Sequence, residues 1–344
     1  MAMRRFRSIA MLLAVVTGLL VIMLVAVFAT QALNAYARKQ EANHTLMVVR
    51  RATEALLLRE TVRIELGVMD MALQAREPAS HATIAQLLAL HARSENGLTV
   101  LGRERSAIGK VRARMAEVQN RRAAANDLLP QVMASTHLAK GARPMAVIAL
   151  WREHIVAMTV AVEDWSNDHS DTKVNADSFI DEMMRVNALA WNMRSIAGAD
   201  RRNVGIAIHE ARPLSIEQRE AFADAEGRFG ALWTQIENVE RVHVFQPRLK
   251  ASFENARRVY LVAFRNLRKS IIVRLTHGEK VAISGQEWLR LSNPGLKSII
   301  AISKDALAIT EWHAARLARV ADRNFQIAVG LMLATFGIFW GVEG

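Results

Sequence analysis

The spacing of arginines is the first feature of this 344-residue chain that could do chemistry. In the stretch Leu189-Ala-Trp-Asn-Met-Arg-Ser-Ile-Ala-Gly-Ala-Asp-Arg-Arg-Asn-Val-Gly205, Arg194, Gly198, Arg201 and Gly205 fall at i, i+4, i+7 and i+11. That spacing puts them along one side of an α-helix. A glycine inside a helix costs about 1 kcal/mol relative to alanine, so two of them beside arginines predict close approach by a neighbouring helix or a ligand. Upstream, Arg59 and Arg63 stand one turn apart amid Leu56, Leu57, Leu58, Val62 and Ile64. A guanidinium is planar, permanently charged, and holds a carboxylate or nitrate-like anion through two parallel hydrogen bonds. Arg59, Arg63, Arg194, Gly198 and Arg201 are therefore the candidate ligand-binding set. The competing reading is structural: these arginines pair with Glu60, Glu65 or Asp200, or lie in water. Asp200 points roughly 100° away from Arg201 around the helix. If Arg201 is buried, its counter-charge must come from another helix or from an external anion.

Other chemistries lack their residues. Cysteine is absent, so there is no disulfide framework, zinc thiolate or thiol nucleophile. The ten histidines contain no i, i+4 pair of the kind a helical metal site uses. There is no phosphate-cradling glycine loop and no strained serine elbow. No catalytic residue, metal or cofactor is expected, and the chain does not read as an enzyme. The net charge of +12 would attract nucleic acid, anionic lipid or a small anion. Nucleic acid is set aside, because the aromatic stacking platforms it needs are missing and the compartment argued below is wrong for it.

The elements that must position the arginines read as helices. Hydrophobic residues make up 51% of the chain, Tyr only 2 and Phe 11 residues, and Gly and Pro together 23. Strand-rich chains need more aromatic residues and more turns than this. Between Gln31 and Arg76 there is no Pro and one Gly, Gly67, which predicts one unbroken helix ending at a turn over Glu77-Pro-Ala-Ser80. Further breaks are expected near Ala139–Pro144, Ser166–Thr172, Glu210–Ser215, Val244–Pro247, Thr276–Gln286 and Ser292–Gly295. Ser215-Ile-Glu-Gln218 and Ser284-Gly-Gln-Glu287 are capping boxes. Asn293-Pro294 reads as a helix start, with proline at the first helical position. On the middle helix, Val186, Ala190, Met193, Ala197, Val204 and Ile208 make an apolar face that Asp200 and Arg201 interrupt.

The two ends place the chain at a membrane. Residues 8–37 carry no charged side chain, and about 20 apolar residues cross the hydrocarbon core. Arg4, Arg5 and Arg7 precede them, which puts the N-terminus in the cytoplasm. Ala35-Tyr36-Ala37 resembles a signal-peptide cleavage site, but the apolar run is longer than the roughly 7–15 residues of a secretory core. Residues 325–342 are a second charge-free run. The expected organisation is a cytoplasmic stub (1–7), a first transmembrane helix (8–30), a periplasmic helical domain (31–324), a second transmembrane helix (325–342) and a short end (343–344) cut off before a cytoplasmic part. The domain between the spans carries +10, from 42 basic and 32 acidic residues. The fold class expected is all-α, with two transmembrane helices flanking a long up-and-down bundle.

Three segments resemble a known family. "TEALLLRETVR", "LAWNMRSIAGADRRNVGIAIHEARPLS" and "ISGQEWLRLSNPGLKSI", in that order over most of residues 45–310, resemble the all-helical nitrate- and nitrite-sensing domains of bacterial chemoreceptors, sensor kinases and diguanylate cyclases. The resemblance implies an anion held by one arginine on the first helix and one on the middle helix. Arg201 and Gly198 match the middle motif. Where the family has Glu-Arg-Gly this chain has Glu60-Thr61-Val62, so Arg59 or Arg63 would stand in. The expectation is thus the extracytoplasmic input module of an inner-membrane signal transducer. It would bind a small anion, nitrate-like or a carboxylate, lie against the lipid bilayer and act as a homodimer. The alternative is a scaffolding inner-membrane protein whose ectodomain binds a periplasmic partner.

Overall fold

The computed structural model of the chain describes residues 2–75, 77–103, 109–170, 177–210, 212–242 and 246–342. Their elements are α1 (Ala2–Gln74), α2 (His81–Gly102), α3 (Gly109–Ser135), a 3₁₀ turn (Lys140–Ala142), α4 (Met145–Ser170), α5 (Ser178–Glu210), α6 (Ile216–Val242), α7 (Pro247–Ala256), a π-helical segment (Arg257–Phe264), α8 (Arg265–Thr276) and α9 (Gly285–Val342). The all-α class holds, with no strand among the described residues. The chain forms two compact units, one of residues 1–49 and 311–344, the other of residues 50–310.

In the smaller unit, α1 is apolar on every side. Val15, Leu19, Leu20, Ile22 and Met23 are all at least half exposed. Lys39 Nζ lies 2.6 Å from Asp322, and the Tyr36 and Phe325 rings meet at 5.6 Å between centroids. Among the described residues two helices are long and apolar enough to cross a membrane, Val15–Gln74 and Met145–Asp168. Only 6% of the most apolar window is buried in the first, against 39% in the second. The second behaves as a core helix: Ile148, Trp151, Ile155, Met158, Val162 and Trp165 of α4 are buried in protein.

The larger unit has two main cores. Leu58, Val62 and Met69 of α1 pack with Leu87 and Leu101 of α2, Val118, Ala125 and Val132 of α3, and Trp151 and Trp165 of α4. Val186 and Met193 of α5 pack with Phe222, Phe229 and Trp233 of α6, Phe253, Tyr260 and Phe264 beyond it, and Trp288 and Ile299 of α9. A third, small cluster joins Ala52 and Leu56 of α1, Trp191 of α5, and Ile300 and Leu307 of α9. Trp191 of α5 is therefore in contact with α1 and α9 residues, which fixes where the α5 arginines lie.

The buried charges of the two cores are met by an opposite charge or by several hydrogen bonds, as burial requires. Asp200 is 4% exposed and receives two hydrogen bonds from Arg268, at 2.5 and 2.6 Å. Glu65, 1% exposed, accepts from Ser94 at 2.6 Å and lies 3.5 Å from Arg122 and 3.1 Å from His91. Arg143, equally buried, donates to the carbonyls of Leu73, Ala75, Glu77, Ser135 and Leu138. It ties the C-terminal ends of α1 and α3 together by filling their orphan carbonyls.

The turn after α1 falls as expected, and Ser80 caps α2 by accepting from the Thr83 amide at 3.2 Å. The Ser215 box is complete: the Gln218 amide donates to Ser215 Oγ and the Ser215 amide to Gln218 Oε1. At the second box Ser284 Oγ accepts from the Glu287 amide, while the Glu287 carboxylate turns to Arg290. The break expected over Ser166–Thr172 falls partly on residues 171–172, and that at Val244–Pro247 on 244–245, all outside the described residues. α4 reaches Ser170 and α7 starts at Pro247.

Three features differ from expectation. α2 ends at Gly102, a boundary with no Pro to mark it. Asn293-Pro294 does not start a helix, because α9 runs from Gly285 straight through it. Proline removes the amide that would bond the Arg290 carbonyl. Ser292 and Ser298 donate to the nearby carbonyls of Leu289 and Gly295, and Gly295 lets the Phe264 and Tyr260 side chains approach to 3.1–3.3 Å of where a Cβ would stand. The π segment itself has no sequence signal. It follows α7 and places Tyr260 against Phe229 at 4.4 Å.

Candidate anion-binding site

Arg59 and Arg63 leave α1 on the same side and meet Trp191. The Arg59 guanidinium carbon lies 4.2 Å from the centre of the indole, that of Arg63 4.9 Å. The ring is 2% exposed, so both cation–π contacts form largely out of water, where they are strongest. Trp191 Nε1 donates to Glu163 Oε2 of α4 at 3.0 Å, and Arg59 Nη1 is 3.5 Å from the same oxygen. Arg63 Nη2 donates to Ser195 Oγ at 3.1 Å. The Nε groups of both arginines are buried without an acceptor.

Arg194 comes to the same place from α5. A Cβ on Gly198 would stand 2.6 Å from Arg194 Nη1 and 3.8 Å from Arg63 Nη1. The expected ridge therefore has a physical reason: Gly198 is the floor over which two guanidinium groups converge. Arg194 is partly buried and makes no hydrogen bond or ion pair with any described residue. Arg201, also partly buried, sits further along the ridge. It donates through Nη1 to Asn293 Oδ1 at 2.8 Å, and its carbonyl accepts from Trp288 Nε1 at 2.8 Å. Gly205, the last of the ridge, gives room to that indole, at 3.2 Å from its would-be Cβ.

The structural pairings considered for these arginines are not the ones formed. Glu60 binds Lys304 at 2.7 Å, Glu65 belongs to the Arg122 network, and Asp200 is held by Arg268. Of the four candidate arginines, Arg59 has a carboxylate partner, Glu163. Arg201 is met by a neutral amide, Arg63 by a hydroxyl, and Arg194 by neither. The consequence is a cluster of cations held against their preference. Burial pushes Arg59 down to about 10, with Glu163 opposing and Arg63 adding to the fall. Burial, then Arg201 and Arg63, pushes Arg194 down to about 9. Arg63 and Arg201 are lowered too, again first by burial. A guanidinium nevertheless keeps its proton, so the electrostatic demand is for an anion.

Arg59, Arg63, Arg194 and Gly198 are thus brought together, with Arg201 at the margin. Sequence reasoning missed Glu163, Trp191 and Ser195. Trp191 and Ser195 lie in the same motif as Arg194, and Trp191 is one turn before it on the same side of the helix. Glu163 ends the mostly apolar stretch Ile155–Val162 of α4 and is followed by Asp164, so nothing in the local pattern marks it out.

No family model matches the chain, and no curated protein matches it. Among solved structures it is similar to that of the NasR transcription antiterminator, with a TM-score of 0.55 and 15% sequence identity, over 86% of this chain and 80% of that one. The likeness is one of fold.

Proposed function

We propose that this chain is the ligand-sensing input part of a bacterial transmembrane signal transducer. In this reading residues 8–30 and 325–342 cross the inner membrane, and residues 31–324 lie in the periplasm. A small anion binds where Arg63 and Arg194 converge over Gly198, with Arg59 and Trp191 forming the wall behind them. The chain works as a homodimer within the bilayer.

The observation that carries this reading is Arg194, which has no hydrogen bond or ion pair among the described residues, beside Arg63, whose polar partner among them is Ser195. Several guanidinium groups gathered away from water, with one carboxylate among them, are costly to hold unless an anion joins them. The site is made by α1 and α5, and α9 reaches its margin through Asn293. Both α1 and α9 also contain the charge-free runs, so a change in their packing around a bound anion has a route to the membrane through a small slide or rotation.

The test is thermal unfolding of the full chain in detergent micelles, with a panel of small anions at constant ionic strength. At least one anion should raise the transition of the wild type, and that rise should vanish in Arg194→Gln. A wild type that responds to no anion refutes the reading.

A further inference from the structure

The charge around Gly198 can be counted, and the count specifies the ligand beyond "anion". Each nearby carboxylate is engaged. Glu163 faces Arg59 and Trp191, Glu60 is bound by Lys304 at 2.7 and 2.9 Å, and Asp200 and Glu65 are held in their own buried pairs. Arg63 feels Glu163 and Arg194 feels Glu60 only at longer range, and both carboxylates are already in ion pairs, with Arg59 and Lys304, so neither arginine has a carboxylate in direct contact among the described residues. Arg201, on the amide oxygen of Asn293, adds further positive potential from the margin. One negative charge placed among them would leave a guanidinium uncompensated, and an unpaired charge away from water is what the interior tolerates least.

The distances limit the size of the ion as well. Arg194 Nη1 and Arg63 Nη1 lie 2.6 and 3.8 Å from one point, the would-be Gly198 Cβ, so they are at most about 6.4 Å apart. Charge-assisted N–H···O bonds are about 2.7–2.9 Å long. Two oxygens of a single compact oxyanion therefore reach both nitrogens, and no longer molecule is needed to bridge them. Ser195 Oγ, 3.1 Å from Arg63 Nη2, offers a hydroxyl donor at the same edge.

We propose that this site selects a compact doubly charged oxyanion of the sulfate type over singly charged ones such as nitrate. The inference rests on the reading of the cluster as an anion site. It assigns Arg63 and Arg194 as the residues that set charge selectivity, one negative charge for each.

Sulfate and nitrate are the probes, both small oxyanions that differ in charge. The purified full chain in detergent micelles is titrated calorimetrically with each at fixed ionic strength. The expected result is sulfate binding at least about 10-fold tighter than nitrate, the scale of one charge-assisted contact. Arg63→Gln and Arg194→Gln should each weaken sulfate about 10- to 100-fold, change nitrate by only a few-fold, and so erase the preference. Equal or tighter binding of nitrate by the wild type overturns the divalent assignment while leaving the anion site standing. Binding of neither ion, with no thermal shift from any small anion, overturns the anion site itself. Should the arginine variants fail to fold, the wild-type comparison alone decides between these outcomes.

Discussion

A single methyl group is all that separates the Gly198 backbone from collision with Arg194: a Cβ there would stand 2.6 Å from Nη1. The obstacle is the far end of a flexible side chain, so the fold can yield while the site cannot. Gly198→Ala should gain up to about 1 kcal/mol of helix propensity and unfold at an unchanged or higher temperature. The displaced guanidinium should weaken anion binding about 10-fold, the order of one charge-assisted hydrogen bond. Thermal unfolding with and without anion reads both effects.

Asp200 and Arg201 are neighbours in sequence with opposite duties. Asp200 is the buried partner of Arg268, whereas Arg201 reaches Asn293 near the surface. Asp200→Ala should cost about 3–5 kcal/mol, the penalty for stranding a buried charge. Arg201→Ala should cost less than about 1.5 kcal/mol, the worth of one ordinary hydrogen bond. Urea unfolding of both variants checks the ranking, and Arg268→Ala together with Asp200→Ala should cost less than the sum of the singles.

The Glu65 network predicts sensitivity to acid. Burial pushes the Glu65 carboxyl up, but hydrogen bonding from His91, the charge of Arg122 and the Ser94 hydroxyl outweigh it and hold it below the usual carboxylate range. A carboxyl whose folded value is depressed contributes stability above its unfolded value, about 4.3, and that contribution is lost as pH falls through the folded value. Stability should therefore drop below about pH 4. Glu65→Gln should flatten that part of the profile, as measured by unfolding midpoints across pH 2.5–7.

Arg143 is a tie between helix ends rather than a ligand. Its removal leaves five carbonyls without this donor. Arg143→Ala should destabilise the larger unit by about 2–4 kcal/mol, more than one hydrogen bond because buried acceptors are stranded. Hydrogen exchange should quicken first around residues 71–75 and 133–138. Uniform exchange across the unit would show that the tie is not local.

Topology is tested by fusion. Alkaline phosphatase joined near Asp171 should be active in an otherwise well-expressed protein, because the reading puts residues 31–324 outside the cytoplasm. An inactive fusion there refutes the two-span arrangement.

How much of this was legible in the sequence depends on the range of the interaction. The apolar face of α5 was readable because helical spacing alone defines it: Val186, Ala190, Met193, Ala197, Val204 and Ile208 are all buried. Ser215 capped as its motif implied, since both partners lie within one turn. Pro294 misled, because the local rule for a proline after Asn is overridden by packing against the π segment and by serine hydroxyls next to the gap. Glu163 was invisible for another reason. It lies 28 residues from Trp191 and over 100 from Arg59, and no local pattern records which helix faces which. The same distance hides the Asp200–Arg268 pair, so the arginine that interrupts the α5 face could be seen, but not the reason its neighbour Asp200 was unavailable to it.

Pro294 has a mechanical meaning beyond its place in α9. A helix lacking one internal hydrogen bond is a rod with a compliant joint, and here the gap runs from the Arg290 carbonyl to Pro294 and contains Asn293, the residue Arg201 grips. A load applied beside a joint is absorbed as a change of curvature before it becomes a displacement of the whole rod. A pull on Asn293 would therefore be taken up first as bending of the turn Arg290–Pro294, where the helix lacks that bond.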